Sequence, residues 1–267
     1  MVTKRLRLDA ELVRRGLARS RDQAAELIAA GRVEVSGAPA GKAATQVGLD
    51  AAIIVREPPA GADYVSRGGH KLAGALAAFG GPPVAGRRCL DAGASTGGFT
   101  EVLLEAGAEH VVAVDVGYGQ LAWPLRTDPR VTVLDRVNVR SLQPEQVAPA
   151  PGLVTADLSF ISLTLVLPAL VACAAPGADL VLMVKPQFEV GKGKVGSGGV
   201  VRDPVLREAA VAAVAAAAAV AGLGVAGVTA SPLPGPSGNV EYFLWLRAGA
   251  PPLDEEALRQ AIAAGPQ

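Results

Sequence analysis

The chain has 267 residues with 25 basic and 25 acidic side chains, and half of its residues are hydrophobic. This length allows two domains, and the composition excludes an intrinsically disordered chain. Two distant cysteines, Cys89 and Cys173, exclude a disulfide framework, and two histidines, His70 and His110, lack the spacing of zinc ligands, so no metal is expected. The polar amino terminus has no secretory signal, which favours a cytoplasmic location.

The beginning of the chain is basic. Its first 21 residues carry seven basic side chains against two acidic ones. Such a cluster is either a solvated helix face or a surface for the phosphates of a nucleic acid. The candidate RNA-binding residues are Arg5, Arg7, Arg14, Arg15, Arg19 and Arg21.

Short elements are predicted across this basic region. The apolar spacing predicts helices over 8–17 and 21–30 and strands over 33–35 and 47–55. A Pro- and Gly-rich stretch follows, which is typical of a linker. We therefore expect a small α+β domain over residues 1–62 and a second domain over 63–267.

After this linker, strands alternate with helices. Short apolar runs predict strands over 88–91, 110–115, 131–134, 153–157, 180–184, 225–229 and 242–246. This alternation predicts a doubly wound α/β sheet, in which ligands bind at the carboxyl ends of the parallel strands.

One stretch is long enough to cross a membrane. No charged side chain occurs between Ala209 and Asn239. Ala and Gly dominate it and contribute little insertion energy, whereas Ala is the best helix former in water. We therefore expect a packed helix and no membrane contact.

A glycine-rich loop follows the first strand of the sheet. It reads Asp-Ala-Gly-Ala-Ser-Thr-Gly-Gly-Phe-Thr from Asp91 to Thr100, and an acid at the end of the next strand suits ribose hydroxyls. Ser95 replaces a glycine of the dinucleotide fingerprint and no phosphate-binding Gly-Lys-Ser/Thr occurs, which favours S-adenosylmethionine, a donor without phosphates. The alternatives are a glycine turn needed only for packing and, at Asn138, a turn-forming Asn. The candidate donor-site residues are Asp91, Gly93, Ser95, Gly97, Gly98, Asp115 and Asn138.

Charged residues stand at the ends of predicted strands. Asp157 and Lys185 each follow a strand, Glu241 precedes the last strand, and Lys71 lies on a candidate helix before the sheet. Each alone could be an ordinary surface charge. Together they suit methyl transfer to a ribose 2'-hydroxyl, which is a poor nucleophile at neutral pH. Lys185 either takes the proton or stabilises the developing alkoxide, and the sequence leaves both roles open.

The segment from Gly191 to Gly199 is rich in Gly and Lys. It is either a lid that clamps an RNA strand through its phosphates or a disordered loop. The pattern does not distinguish these two interpretations.

These motifs resemble those of the TlyA family, bacterial ribosomal RNA cytidine 2'-O-methyltransferases that are often labelled hemolysins. The stretch from Leu8 to Val35 is similar to an S4-type RNA-binding domain. The segments similar to the family's FtsJ-like methyltransferase domain are Val65–Lys71, Asp91–Thr100, Asp157–Ile161, Lys185–Glu189 and Gly238–Tyr242.

The resemblance implies a Rossmann-like sheet of six parallel strands and one antiparallel strand, preceded by a small α+β RNA-binding domain. It implies S-adenosylmethionine as the cofactor and cytidine ribose in small- or large-subunit ribosomal RNA as the substrate, with ribosomal subunits as partners. The alternatives are a membrane-active hemolysin and a non-catalytic RNA-binding assembly factor. The catalytic tetrad of the family falls on Lys71, Asp157, Lys185 and Glu241.

Overall fold

The computed structural model describes residues 5–18, 21–29, 31–56 and 64–266. The chain divides into two compact units, Met1–Asp63 and Tyr64–Gln267. Each unit has its own apolar core, so each is described by itself.

The first unit combines two short helices with two small antiparallel sheets in its described part. Its elements are β1 (Arg5–Arg7), α1 (Leu8–Arg14), α2 (Arg21–Ala29), β2 (Val33–Val35), β3 (Ala38–Pro39), β4 (Gln46–Gly48) and β5 (Ile53–Val55). β1 pairs with β4, while β2 pairs with β3 and β5. Leu8, Leu12 and Val33 are completely buried between these elements.

Two predictions for this unit were wrong in detail. The first helix ends at Arg14 because the chain turns at Gly16, whose φ is 71°, and the backbone N–H of Leu17 returns to the carbonyl of Leu12. The strand predicted over 47–55 is two strands, β4 and β5, which belong to different sheets. A turn separates them, in which Ala51 N–H donates to the carbonyl of Gly48.

The second unit is built on a seven-stranded sheet. Its strands are β6 (Arg88–Ala92), β7 (His110–Asp115), β8 (Val131–Asp135), β9 (Leu153–Ala156), β10 (Asp179–Val184), β11 (Gly224–Ala230) and β12 (Tyr242–Arg247). Its helices are α3 (Arg67–Phe79), α4 (Gly98–Glu105), α5 (Trp123–Arg126), α6 (Leu163–Cys173), α7 (Pro186–Glu189), α8 (Pro204–Val220) and α9 (Glu255–Ala264). All seven predicted strands are present, each within one residue of the predicted ends.

The strand order is β11-β12-β10-β9-β6-β7-β8. β12 runs antiparallel to both of its neighbours, and all other pairs that link β10, β9, β6, β7 and β8 are parallel. The predicted sheet of six parallel strands and one antiparallel strand is therefore confirmed. Helices cover both faces, which explains why the strands read as continuous apolar runs. In β10, for example, Leu182 packs in the core with α6 and α8, while Val181 packs in the core with α3 and α4.

The Ala-rich run forms α8, as expected, and buries Val211, Val214 and Ala218 in the core. Across the described ranges, no helix is long and apolar enough to cross a membrane. In the same ranges, no group of three or more His, Cys, Asp or Glu side chains is placed to hold a metal ion.

Candidate active site

Charged residues from three neighbouring strands meet at one edge of the sheet. Asp157 directly follows β9, and Lys185 directly follows β10. Glu241 directly precedes β12, which runs in the opposite direction, and Tyr242 at its beginning pairs with Val184 at the end of β10. Because adjacent strands lie about 4.8 Å apart, the three charged residues lie side by side.

The four predicted catalytic residues form two ion pairs. Lys71 Nζ lies 2.6 Å from Glu241 Oε2, and Lys185 Nζ lies 2.6 Å from Asp157 Oδ1. The side chains of Lys71 and Glu241 are only 8% and 2% exposed, whereas those of Lys185 and Asp157 are 11% and 23% exposed. The Lys185–Asp157 pair is therefore the one that a substrate can reach.

Lys71 reaches the sheet edge because two helices approach each other closely. It lies on α3, whose backbone at Gly69 contacts α4 at Gly98. A Cβ at Gly98 would come within 2.6 Å of the backbone nitrogen of Gly69. Since glycine alone fits there, the glycine motif that opens α4 also positions Lys71.

The glycine-rich loop from Asp91 to Thr100, the predicted donor loop, lies directly against Asp157. Gly93 has a φ of 86°, and a Cβ there would clash with the backbone carbonyl oxygen of Asp157. The Asp157 N–H donates to the carbonyl of Ala92, 3.0 Å away, so the end of β6 and the residue after β9 are joined. At Gly97, with a φ of 104°, a Cβ would clash with Leu125.

Asp115 fixes the shape of this loop from the neighbouring strand. Its two carboxylate oxygens accept hydrogen bonds from Ser95 N–H at 2.8 Å and Gly117 N–H at 2.7 Å. Ser95 has a φ of 47°, a strained value for a residue with a Cβ. Each oxygen of Asp115 has a second lone pair, so the carboxylate can also accept a ribose hydroxyl.

Asp91 is a completely buried acid beneath the loop. Its Oδ2 accepts a hydrogen bond of 2.6 Å from Thr100, and its Oδ1 has no partner among the described residues. Burial raises the pKa of Asp91 to about 7, assisted by the nearby charges of Asp157 and Asp115 and opposed by the Thr100 hydrogen bond. An unpaired acidic oxygen fits a ligand that carries positive charge.

Asn138 makes a local bond. Its Oδ1 accepts the N–H of Arg140 at 3.0 Å and caps a single 3₁₀ turn over Val139–Ser141. This is the turn-forming alternative that the sequence allowed, and a ligand contact by Asn138 stays a prediction.

Further hydrogen bonds join the segments that follow β9 and β10, and sequence reasoning missed them. Lys185 Nζ donates to Ser159 Oγ at 3.0 Å, and four residues later Glu189 accepts from Ser162 Oγ at 2.5 Å and Leu163 N–H at 2.8 Å. Burial raises the pKa of Glu189. Glu189 thus binds the start of α6 from a different helix, which no local capping pattern in the sequence indicates.

Two aromatic rings in the segments that follow Asp157 and Lys185 were also missed. Phe160 and Phe188 pack with their ring centroids 5.2 Å apart. Phe160 is 91% exposed and has a φ of 64°, which is costly for a residue other than glycine. Strained backbone of this kind clusters at functional sites.

The predicted RNA-binding arginines lie in the first unit. Arg15 stabilises the fold of this unit, because its guanidinium donates to the backbone carbonyls of Ala51 and Leu49 at 2.7 and 2.8 Å. Arg19 lies outside the described residues. The exposed members are Arg5, Arg7, Arg14 and Arg21.

Comparisons with known proteins show which families the two parts of this chain are similar to. Residues 64–248 match the FtsJ-like methyltransferase family, and residues 6–53 match the S4 domain. The 16S/23S rRNA (cytidine-2'-O)-methyltransferase TlyA of Mycobacterium tuberculosis is 63% identical over 99% of this chain and 100% of that protein. The chain belongs to the TlyA family.

This membership confirms the methyltransferase and S4 domains that the motifs predicted. Other similar proteins carry hemolysin names. Hemolysin A of Brachyspira hyodysenteriae is 37% identical over 89% of this chain and 98% of its own length. A solved structure from Streptococcus thermophilus, also named as a hemolysin, is 36% identical, covers 98% of this chain and 96% of its own, and has a TM-score of 0.77.

The buried carboxyl of Asp91 predicts a pH dependence of stability. Its pKa is about 7 in the folded chain against 3.8 without burial, so between these values the folded state binds more protons than the unfolded state. Stability then falls as the pH rises from about 4 to about 7, by at most about 1.4 kcal/mol per pH unit. In thermal melts, the stability of Asp91→Asn relative to wild type should increase as the pH rises across this window.

Leu165→Ala, which truncates a half-exposed side chain without a titratable group, is the control, and its difference from wild type should stay constant with pH. An Asp91→Asn difference that is equally large at pH 4 and pH 7 would contradict the prediction.

Proposed function

We propose that this chain transfers a methyl group to the 2'-hydroxyl of cytidine ribose in ribosomal RNA. The observation that carries the proposal is the accessible Lys185–Asp157 pair, which lies against the Gly93 loop at the edge of a methyltransferase sheet. The name of the Mycobacterium tuberculosis relative specifies cytidines of 16S and 23S rRNA. We therefore propose targets in one or both ribosomal subunits.

S-adenosylmethionine is the proposed methyl donor, and when bound it supplies an electrophilic methyl carbon on a sulfonium. The residues of the donor loop fit such a ligand. Asp115 offers lone pairs to ribose hydroxyls, Gly93 allows close backbone approach, and the buried Asp91 carboxyl has one unpaired oxygen beneath the loop. A positively charged ligand would favour the ionised form of this carboxyl. The loop has no lysine for phosphates, which also fits this donor.

Lys185 is the proposed group that handles the hydroxyl proton. A lysine ammonium has three N–H donors. One of them is donated to Ser159 Oγ, and Asp157 forms an ion pair with the same ammonium. A remaining N–H can donate to the alkoxide as charge develops, or the neutral amine can accept the proton. The buried Lys71–Glu241 pair beside it contributes fixed charges of opposite sign.

The aromatic pair is the proposed contact for the target nucleotide. Proteins that modify or read RNA generally bind unstacked bases on aromatic rings. Phe160 and Phe188 follow Asp157 and Lys185 by three residues each, and their rings pack against each other.

The two domains have separate proposed roles. Residues 1–62 form the RNA-binding domain, whose exposed arginines contact phosphates, and residues 63–267 form the catalytic domain. We propose ribosomal RNA and ribosomal subunits as the partners of this chain and the cytoplasm as its location.

Replacing Lys185 tests the catalytic assignment. We expect Lys185→Ala to lower methyl transfer from labelled S-adenosylmethionine to ribosomal subunits by about 100-fold or more, with donor affinity retained in calorimetry. Arg247→Ala, which removes a positive charge at the opposite edge of the sheet, should transfer normally. Equal incorporation by Lys185→Ala and wild type would reject the proposal and favour a non-catalytic assembly factor.

Replacing Phe160 tests the nucleotide contact. Because stacking of one base on an aromatic ring contributes about 1–3 kcal/mol, Phe160→Ala should raise KM for ribosomal subunits roughly tenfold. KM for S-adenosylmethionine should not change, and neither should the melting temperature, since the ring is exposed. Leu165→Ala, which truncates a half-exposed side chain on α6, is the control. An unchanged KM for subunits in Phe160→Ala would remove Phe160 from the substrate site.

A further inference from the structure

A buried acid lies within the basic face of the first unit. Asp9 is only 4% exposed, yet two arginines from different elements bind its carboxylate. Arg7 of β1 donates from Nε to Oδ1 at 3.1 Å and from Nη2 to Oδ2 at 2.9 Å. Arg21, the first residue of α2, donates to Oδ2 from Nη2 at 2.9 Å and from Nε at 3.3 Å.

The carboxylate of Asp9 is ionised in this arrangement. The hydrogen bond from Arg7, together with those from Arg21 and Ala10 N–H, holds the pKa of Asp9 well below its usual value in spite of burial. A negative charge opposes binding of a polyanion such as RNA. The negative charge of Asp9 therefore cannot itself favour RNA binding, and a role of Asp9 in binding has to be structural.

The geometry of the contacts indicates that role. An arginine has five N–H donors, and both guanidinium groups face Asp9 with their Nε and Nη2 atoms. In each of the two arginines, the Nη1 group and the second hydrogen of Nη2 do not take part in these bonds. The side chains of Arg7 and Arg21 are 46% and 59% exposed, so these outer donors are accessible.

A free arginine side chain loses rotamer entropy when it is ordered. Anchoring both guanidinium groups on Asp9 moves much of this loss from binding to folding, because pre-organisation lowers the cost of association. It also presents the two outer edges together, in the planar form that binds phosphate oxygens bidentately.

We propose that Asp9 is a positioning residue that holds Arg7 and Arg21 as a preformed pair for phosphates of the RNA backbone. This inference rests on the proposed RNA-binding role of the first domain. It assigns a function in RNA binding to an acid.

The sign of the effect makes the inference testable. Asp9→Asn removes one negative charge from the basic face, so simple electrostatics predicts tighter RNA binding. Positioning predicts weaker binding, by about threefold to tenfold, because the two arginines lose their anchor. Filter binding of the full chain to ribosomal subunits from cells that lack this methyltransferase measures the difference.

Asp50→Asn is the matched control, since it makes the same charge change at an exposed position of the same unit. It should bind as tightly as wild type or more tightly. Asp9→Asn should cause no further loss in a chain that already carries Arg7→Gln and Arg21→Gln, because Asp9 acts through these two residues. An equal loss in both backgrounds would overturn the inference.

Thermal melts show whether Asp9→Asn folds. If it does not, Arg21→Lys is tested instead. This variant keeps the positive charge but loses the planar guanidinium, one edge of which binds Asp9 while the other is available to a phosphate. Arg21→Lys should bind subunits about threefold more weakly or worse, and unchanged affinity would overturn the inference.

Different outcomes would contradict the proposed RNA-binding surface and the positioning role of Asp9. If Arg7→Gln with Arg21→Gln binds subunits normally, the proposed RNA-binding surface is wrong. If that variant loses affinity while Asp9→Asn binds as tightly as Asp50→Asn, the surface stands and the inference alone is overturned.

Discussion

The antiparallel direction of β12 is the constraint on which the candidate active site depends. Since Tyr242 pairs with Val184, the residue before β12 lies beside the residue after β10. Glu241 therefore joins the edge that holds Lys185 and Asp157. In a parallel orientation, the six residues of β12 would carry Glu241 to the opposite edge, about 20 Å away.

Glycines and paired charges complete the arrangement. Without side chains at Gly93 and Gly98, the donor loop contacts Asp157 and α4 contacts α3, so Lys71 reaches Glu241. Four charged groups at this partly buried edge of the sheet would destabilise the folded state if they were unpaired. Two amines facing two acids keep this edge near neutral charge.

The sequence predicted the strands well because parallel strands covered on both faces are apolar along their whole length and end at a charged or glycine residue. It also selected the four charged residues that form the two ion pairs and the glycine-rich loop that contacts Asp157. It did not predict which amine pairs with which acid, the bond from Glu189 to the start of α6, or the exposure of Phe160. These depend on contacts between segments distant in the chain. The division of 47–55 into two strands was missed because the apolar pattern continues through the turn.

The most direct test of the claim that this edge is the reaction centre is a crystal structure of the chain with S-adenosylhomocysteine. Our account predicts that the ribose hydroxyls bind Asp115 and that the sulfur faces Lys185 and Asp157. A ligand bound away from the Gly93 loop, or one whose sulfur faces away from Lys185, would contradict it.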